Sequence, residues 1–178
     1  EKTITHSKGL DWGHADFRAF KGYALTFATS TRGGEPLRGI PGYELFGMSP
    51  EEAQKRFGVP DAGSPTSYNK AKVTLHYQNL STLADSLEIC KFATDMICPG
   101  AIGIEDMGNL LLAATGVEFD ERALVEAAER IYAVERAFLV REGIRRKDDA
   151  VVGRLASEPI TSGPFKGERL DPEKFSKL

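Results

Sequence analysis

Asp120-Glu121-Arg122-Ala123-Leu124-Val125-Glu126-Ala127-Ala128-Glu129-Arg130-Ile131-Tyr132-Ala133-Val134-Glu135-Arg136-Ala137-Phe138-Leu139-Val140-Arg141-Glu142-Gly143 decides the fold class. Leu124, Ala127, Ile131, Val134 and Phe138 recur three or four residues apart, the spacing of one helix face. Asp120 is placed to cap the start and Gly143 to stop the end. Glu126 and Arg130 stand one turn apart on the outer side, an i,i+4 ion pair.

Other segments follow the same period. Asp16 heads an apolar series, Phe17, Phe20, Tyr23, Ala24, Phe27 and Ala28, that should end near Arg32-Gly33-Gly34. Residues 33–48 are rich in glycine and read as a loop. Ser49-Pro50-Glu51-Glu52 is a helix start: serine as cap, proline in the first turn, an acid three residues on. That helix is short, ending at Phe57-Gly58. From about Thr66 to Phe92 the pattern predicts a long helix with Val73, Tyr77, Leu80, Ala84 and Leu87 on its apolar face. Cys98-Pro99-Gly100 breaks the chain, and a further helix runs from about Ile104 to Gly116. Strand signals are scarce, so the class is all-α, an irregular multi-helix packing. Residues 1–178 read as one helical domain, with a short leading segment 1–14 and a C-terminal arm 156–178 that wraps over the helices.

Composition bounds the chemistry. Hydrophobic residues make up 41%, enough for a sizeable core, and the net charge of -3 with scattered basic residues predicts no nucleic-acid partner. No apolar run reaches the length of a membrane span. The start has no apolar signal region and no initiator methionine, which reads as a fragment of a longer protein. Two cysteines are too few for a secreted disulfide scaffold, so a cytoplasmic setting is expected. They are also too few to complete a four-ligand zinc or iron–sulfur site, so any cluster must borrow ligands from elsewhere.

No dinucleotide-binding, phosphate-loop, zinc-protease or nucleophile-elbow motif is present, and the catalytic residues stay unknown. His6, His14 and His76 do not sit at a ligand spacing, and His76 reads as a packed or surface residue of the long helix. Asp148-Asp149, beside Arg145-Arg146-Lys147, reads as a solvated turn or helix cap. Cys90 is the atom of interest, because Lys91 beside it favours the thiolate, the metal-binding form. The plainer reading is a buried core cysteine. On a continuous helix, Asp85 and Cys90 would be rotated roughly 140° apart and would face different objects.

Several blocks together resemble the C-terminal region of tungsten-dependent aldehyde ferredoxin oxidoreductases. They are Lys21-Gly22-Tyr23-Ala24-Leu25-Thr26-Phe27-Ala28-Thr29-Ser30-Thr31-Arg32-Gly33-Gly34, then Asp85-Ser86-Leu87-Glu88-Ile89-Cys90-Lys91-Phe92, then Ala128-Glu129-Arg130-Ile131-Tyr132 through Arg136 to Gly143, with Arg146-Lys147-Asp148-Asp149 and Arg154-Leu155. The resemblance implies a larger oxidoreductase that converts aldehydes to carboxylic acids with ferredoxin as electron acceptor. It implies a bis-molybdopterin tungsten (or molybdenum) cofactor, tungstopterin, and a [4Fe–4S] cluster in the full-length protein. Three cluster cysteines would come from an upstream Cys-x-x-Cys-x-x-x-Cys motif, and Cys90 would be the fourth metal ligand. Asp85, Ile89 and Arg38 would contact the pterin cofactor. The implied partners are N-terminal domains of the same protein, ferredoxin and a small aldehyde or acid, with a homodimer among the assemblies allowed. The isolated chain would be inactive and hold no cofactor alone.

The sequence departs from that family's pattern in places. The family has Asp-x-x-Gly-Leu-Cys where this chain has Glu88 and Ile89 in place of the Gly and Leu. After Gly34 the family has Cys-His-Leu and a base, and here Glu35-Pro36-Leu37-Arg38 puts proline where the histidine stands. Leu139 replaces an asparagine and Val152 a proline. The missing histidine leaves open an aryl-CoA reductase-type activity within the family. A cofactor-less helical scaffold is the alternative outside it. Cys98 has no matching role and reads as a core thiol, while Trp12 and His14 read as lining a domain interface.

Overall fold

The computed structural model describes residues 4–12 and 16–177, so His14 lies outside the described residues. A small antiparallel hairpin, β1 (His6–Ser7) and β2 (Leu10–Asp11), leads into the helices. These are α1 (Lys21–Thr29), α2 (Tyr43–Phe46), α3 (Pro50–Phe57), α4 (Ala71–Ser86), α5 (Ile104–Thr115), α6 (Glu121–Arg141), α7 (Arg154–Ser157) and α8 (Pro172–Phe175). The helical class holds. The hairpin is a correction to the short leading segment 1–14, for which the sequence pattern predicts no strand. Its turn residues Lys8 and Gly9 both have positive φ, 53° and 82°, the pairing a two-residue hairpin turn requires.

α4 is the central helix and packs against α1, α5 and α6. Its expected apolar face is buried at Val73, Tyr77, Leu80 and Ala84. The burial goes further, because Gln78, Asn79, Ser81 and Thr82 are enclosed as well. Polar side chains can be enclosed when partnered: Gln78 donates to Thr29 Oγ1 at 2.9 Å and Ser81 to the Leu37 carbonyl at 2.6 Å. The helix is shorter than its pattern suggested, starting at Ala71 rather than near Thr66 and ending at Ser86 rather than Phe92.

α1 is buried on every side from Lys21 to Ala28. It does not begin at Asp16. That carboxylate instead accepts from the Arg18 backbone N–H and pairs with its guanidinium, closing a turn before the helix. The cap comes from elsewhere in the chain: Glu44 on α2 accepts from the N–H groups of Gly22 and Tyr23 at 2.9 and 3.1 Å. Its other partner is Lys70 at 2.8 Å, and both side chains are fully buried. Lys70 also donates to the carbonyls of Ala62 and Ser64. Burial pushes the Glu44 carboxyl above its ordinary value against the pull of Lys70 and the two amides. Residues 33–48, expected to be loop throughout, thus contain α2 and a 3-10 turn at Pro36–Arg38.

Trp12 is not an interface residue. It is 4% exposed, stacks on Phe27 at 4.7 Å between ring centres, and donates its indole N–H to Ser7. From the C-terminal segment Glu168 pairs with buried Lys21, Phe165 meets Phe20 edge-on, and Leu170 enters the core. Val152 exchanges backbone hydrogen bonds with His6, a pairing that a proline at 152 could not donate to. Asp149 is not a solvated turn residue. Its carboxylate is buried and pairs with Lys8 at 2.8 Å and Arg136 at 2.6 Å, tying the hairpin to the last turns of α6. Asp148 does cap, accepting from the Arg145 N–H.

α3, α5 and α6 start and stop close to where their caps suggested. Ser49 accepts from Glu52 N–H, Gly58 and Gly116 close their helices in the left-handed conformation, and Asp120 accepts from Ala123 N–H. Glu126 pairs with Arg122 rather than Arg130. Only part of the apolar stripe on α6 is covered: Leu124 is buried, whereas Val134 and Phe138 are 70% and 60% exposed.

Two outcomes test this packing. Lys70→Met strands a buried carboxylate and should cost about 3–5 kcal/mol in denaturant unfolding, with part regained in Lys70→Met/Glu44→Gln. His76 packs edge-on against Phe57, and burial pushes its pKa down to about 4. Below the ordinary value of about 6.5 the unfolded chain takes a proton that the folded chain refuses, so stability should fall between pH 6.5 and 4. His76→Phe should flatten that part of the stability-versus-pH curve.

Candidate functional site

The site is built where α4 ends. Leu87 closes the helix and Glu88 turns left-handed at φ 55°. The Ile89 N–H then reaches back to the Ala84 carbonyl at 2.9 Å, and the Glu88 N–H to that of Asp85 at 3.4 Å. These two bonds and the left-handed residue make a Schellman ending, with Ile89 packing back against the core. The pattern Asp-x-x-Gly-Leu-Cys therefore has a local physical reading. The glycine position takes the left-handed turn and the leucine position supplies its apolar contact. In this chain Glu88 adopts the glycine's conformation and its side chain is exposed.

Cys90 follows that turn in extended conformation, just ahead of the 3-10 turn Lys91–Ala93. It is not on the helix, so the rotation expected between it and Asp85 does not apply. Neither cysteine is a core thiol: Cys90 and Cys98 are both free and exposed. Phe92, two residues past Cys90, is 69% exposed.

Asp85, in the last turn of α4, meets Arg38, which the sequence separates from it by 47 residues. Glu35 caps the turn that carries Arg38, accepting from the Leu37 N–H at 2.7 Å. Pro36 takes the first position of that turn, where a missing N–H costs nothing. The Arg38 side chain is only 3% exposed and lies between two carboxylates, Asp85 and Glu135, each at 2.5 Å. Its guanidinium is 6.0 Å from the Tyr132 ring centre. Tyr132, whose hydroxyl burial pushes above its ordinary pKa, donates to the Thr29 carbonyl. Lys91 completes the group, pairing with Asp85 at 2.8 Å and donating to the Leu37 carbonyl at 2.7 Å.

Two cations and two carboxylates thus alternate as Lys91, Asp85, Arg38, Glu135, with formal charges that cancel. The structure brings together Arg38, Asp85 and the segment of Ile89 and Cys90. It adds Glu135 and Tyr132, which lie in the third block of resemblance but have no role assigned there, because their partners lie about a hundred residues away in sequence. Arg38 Nε is buried with no hydrogen-bond partner among the described residues. Among the described residues no set of three or more His, Cys, Asp or Glu could hold a metal ion. Cys90 is therefore a single exposed thiol, while Arg38 is enclosed within this chain by its two carboxylate partners. An exposed thiol is chemically suited to be one ligand of a metal cluster whose other ligands come from outside this chain.

The family model described as "Aldehyde ferredoxin oxidoreductase, domains 2 & 3" matches residues 1–178. The chain belongs to the aldehyde ferredoxin oxidoreductase family. It is 32% identical over 166 residues to the tungsten-containing aldehyde ferredoxin oxidoreductase of Pyrococcus furiosus, covering 92% of this chain and 25% of that protein. The protein of the same description from Thermococcus kodakarensis is 31% identical over 163 residues, covering 90% and 24%. That of Pyrococcus abyssi is 32% identical over 155 residues, covering 85% and 23%. The chain thus spans about a quarter of the length of the relatives it matches. No helix among the described residues is long and apolar enough to cross a membrane.

The left-handed residue gives a direct test. Glu88→Gly should raise stability by about 1 kcal/mol, since glycine takes positive φ without the side-chain penalty. An unchanged unfolding midpoint would show that the turn is not strained by its glutamate.

Proposed function

We propose that this chain is the portion of a tungstopterin- and [4Fe–4S]-containing oxidoreductase that supplies the fourth cluster thiolate and one wall of the pterin pocket. The exposed, off-helix Cys90 carries this reading. The thiol follows directly on the Schellman turn, whose backbone hydrogen bonds fix where the chain leaves the helix. The exposed Phe92 beside it supports a surface that other parts of the polypeptide cover. When bound, the two groups would supply two-electron oxidation of an aldehyde to a carboxylic acid and one-electron transfer to ferredoxin. Asp85 presents a carboxylate, 36% exposed, to hydrogen-bond donors of the pterin, and Arg38 sets positive charge behind it. Ile89 holds the turn against the core and would form the apolar wall beside Asp85 when the pterin is bound.

Pro36 favours a second reading within the family. It holds no proton to shuttle, where the resembling sequences have histidine. An aryl-CoA thioester would then be reduced with a low-potential donor, and simple aldehydes would be poor substrates. Turnover of an aldehyde panel against aryl-CoA substrates decides between the two.

The test of the shared reading is anaerobic purification of the full-length protein with tungsten, molybdenum, iron and acid-labile sulfide measured per chain. Tungsten or molybdenum with about four irons is expected. Cys90→Ala should lose or convert the cluster. Iron content and activity equal to wild type in that variant would remove Cys90 from the site. Absence of metals in a host able to make the cofactor would leave a helical scaffold.

A further inference from the structure

We propose that Glu135 is a positioning residue for the cofactor edge of the site, an inference that rests on the reading of Asp85 and Cys90 above. One oxygen of Glu135 accepts from Arg38 Nη2 at 2.5 Å and from the Thr31 hydroxyl at 2.8 Å. Among the described residues Arg38 has no other carboxylate partner except Asp85, and its Nε is unbonded. The direction of the buried guanidinium is therefore set by two acids on two helices. Both Asp85 oxygens take charged donors: Oδ2 from Arg38 and Lys91, Oδ1 from Lys91. With Lys91 anchored on the Leu37 carbonyl, one residue before Arg38, a shift of Arg38 moves the whole Asp85 carboxylate. Glu135 thus links α6 to the end of α4 without itself lying on the segment that carries Cys90.

The charges make the role measurable. Neutralising Glu135 leaves one uncompensated positive charge behind Asp85. A nearby cluster becomes easier to reduce when its surroundings turn more positive, so its midpoint potential rises. A residue that only supported the fold would alter the melting temperature and leave the potential in place.

The experiment uses the full-length protein, purified anaerobically as wild type, Glu135→Gln, Glu135→Asp and Glu126→Gln. Iron and tungsten per chain are measured, with the cluster midpoint potential from a spectroscopically monitored redox titration. Glu135→Gln should retain iron and raise the potential. Glu135→Asp keeps the charge but loses reach, and should fall between wild type and Glu135→Gln. Glu126→Gln makes the same charge change on the same helix at an exposed pair with Arg122, and should match wild type. Equal potentials in wild type and Glu135→Gln would overturn the proposal, as would an equal shift in Glu126→Gln. Glu135→Asp identical to wild type would overturn positioning, and that variant carries the test if Glu135→Gln does not fold. A wild-type protein without iron would overturn both this inference and the reading it rests on. Iron present with unshifted variants would overturn this inference alone.

Discussion

Glu44 and Lys70 form the contact on which the packing depends. α1 is enclosed on nearly every side, so its free N-terminal N–H groups cannot turn to water. Glu44 satisfies two of them, and a fully buried carboxylate needs a counter-charge that Lys70 provides at 2.8 Å. Because Glu44 is on α2 and Lys70 immediately precedes α4, one ion pair fixes α1 and α4 together with the loop at Ala62–Ser64. A Cβ at Gly22 would come 2.9 Å from Glu44 Oε1, so a side chain there would have to displace the capping carboxylate. With α1 and α4 held, the aromatic group of Trp12, Phe17, Tyr23 and Phe27 packs over the junction.

The second constraint is the way α4 stops. A helix continued through Phe92 would carry Cys90 round on the helix surface. The Schellman ending instead throws the chain out, so that the thiol is exposed while the two residues before it remain tied to the helix by backbone hydrogen bonds. Asp85, one turn back, stays on α4 and is held by Lys91 from beyond the turn. The carboxylate and the thiol are thereby placed by one short piece of rigid backbone.

Local signals explain what was legible. Ser49-Pro50, Asp120, Gly58 and Gly116 act through their own backbone neighbours, and those ends agree with expectation. Asp16 and the end of α4 show the limit. Asp16 has the chemistry of a helix cap but spends it on Arg18, and a cap from Glu44 wins. Glu88 carried no stop signal, because glutamate rarely takes positive φ and the tertiary contact of Ile89 is what holds it there. Lys8, Asp149 and Trp12 have polar or amphipathic side chains that suggest surface, yet long-range partners bury all three.

The sequence by itself determined the helical class, the α3, α5 and α6 boundaries, and, through the blocks around Gly22–Gly34 and Asp85–Cys90, the family. These depend on periodicity, caps and ordered short motifs, which neighbouring residues express without knowledge of the rest. Only the tertiary structure decided that Arg38 is buried between Asp85 and Glu135, that Cys90 is exposed, and that Asp149 is an ion-pair hub. The reason is that charge pairing across tens of residues, and the burial that makes it necessary, depend on which helices meet. No local pattern specifies that meeting.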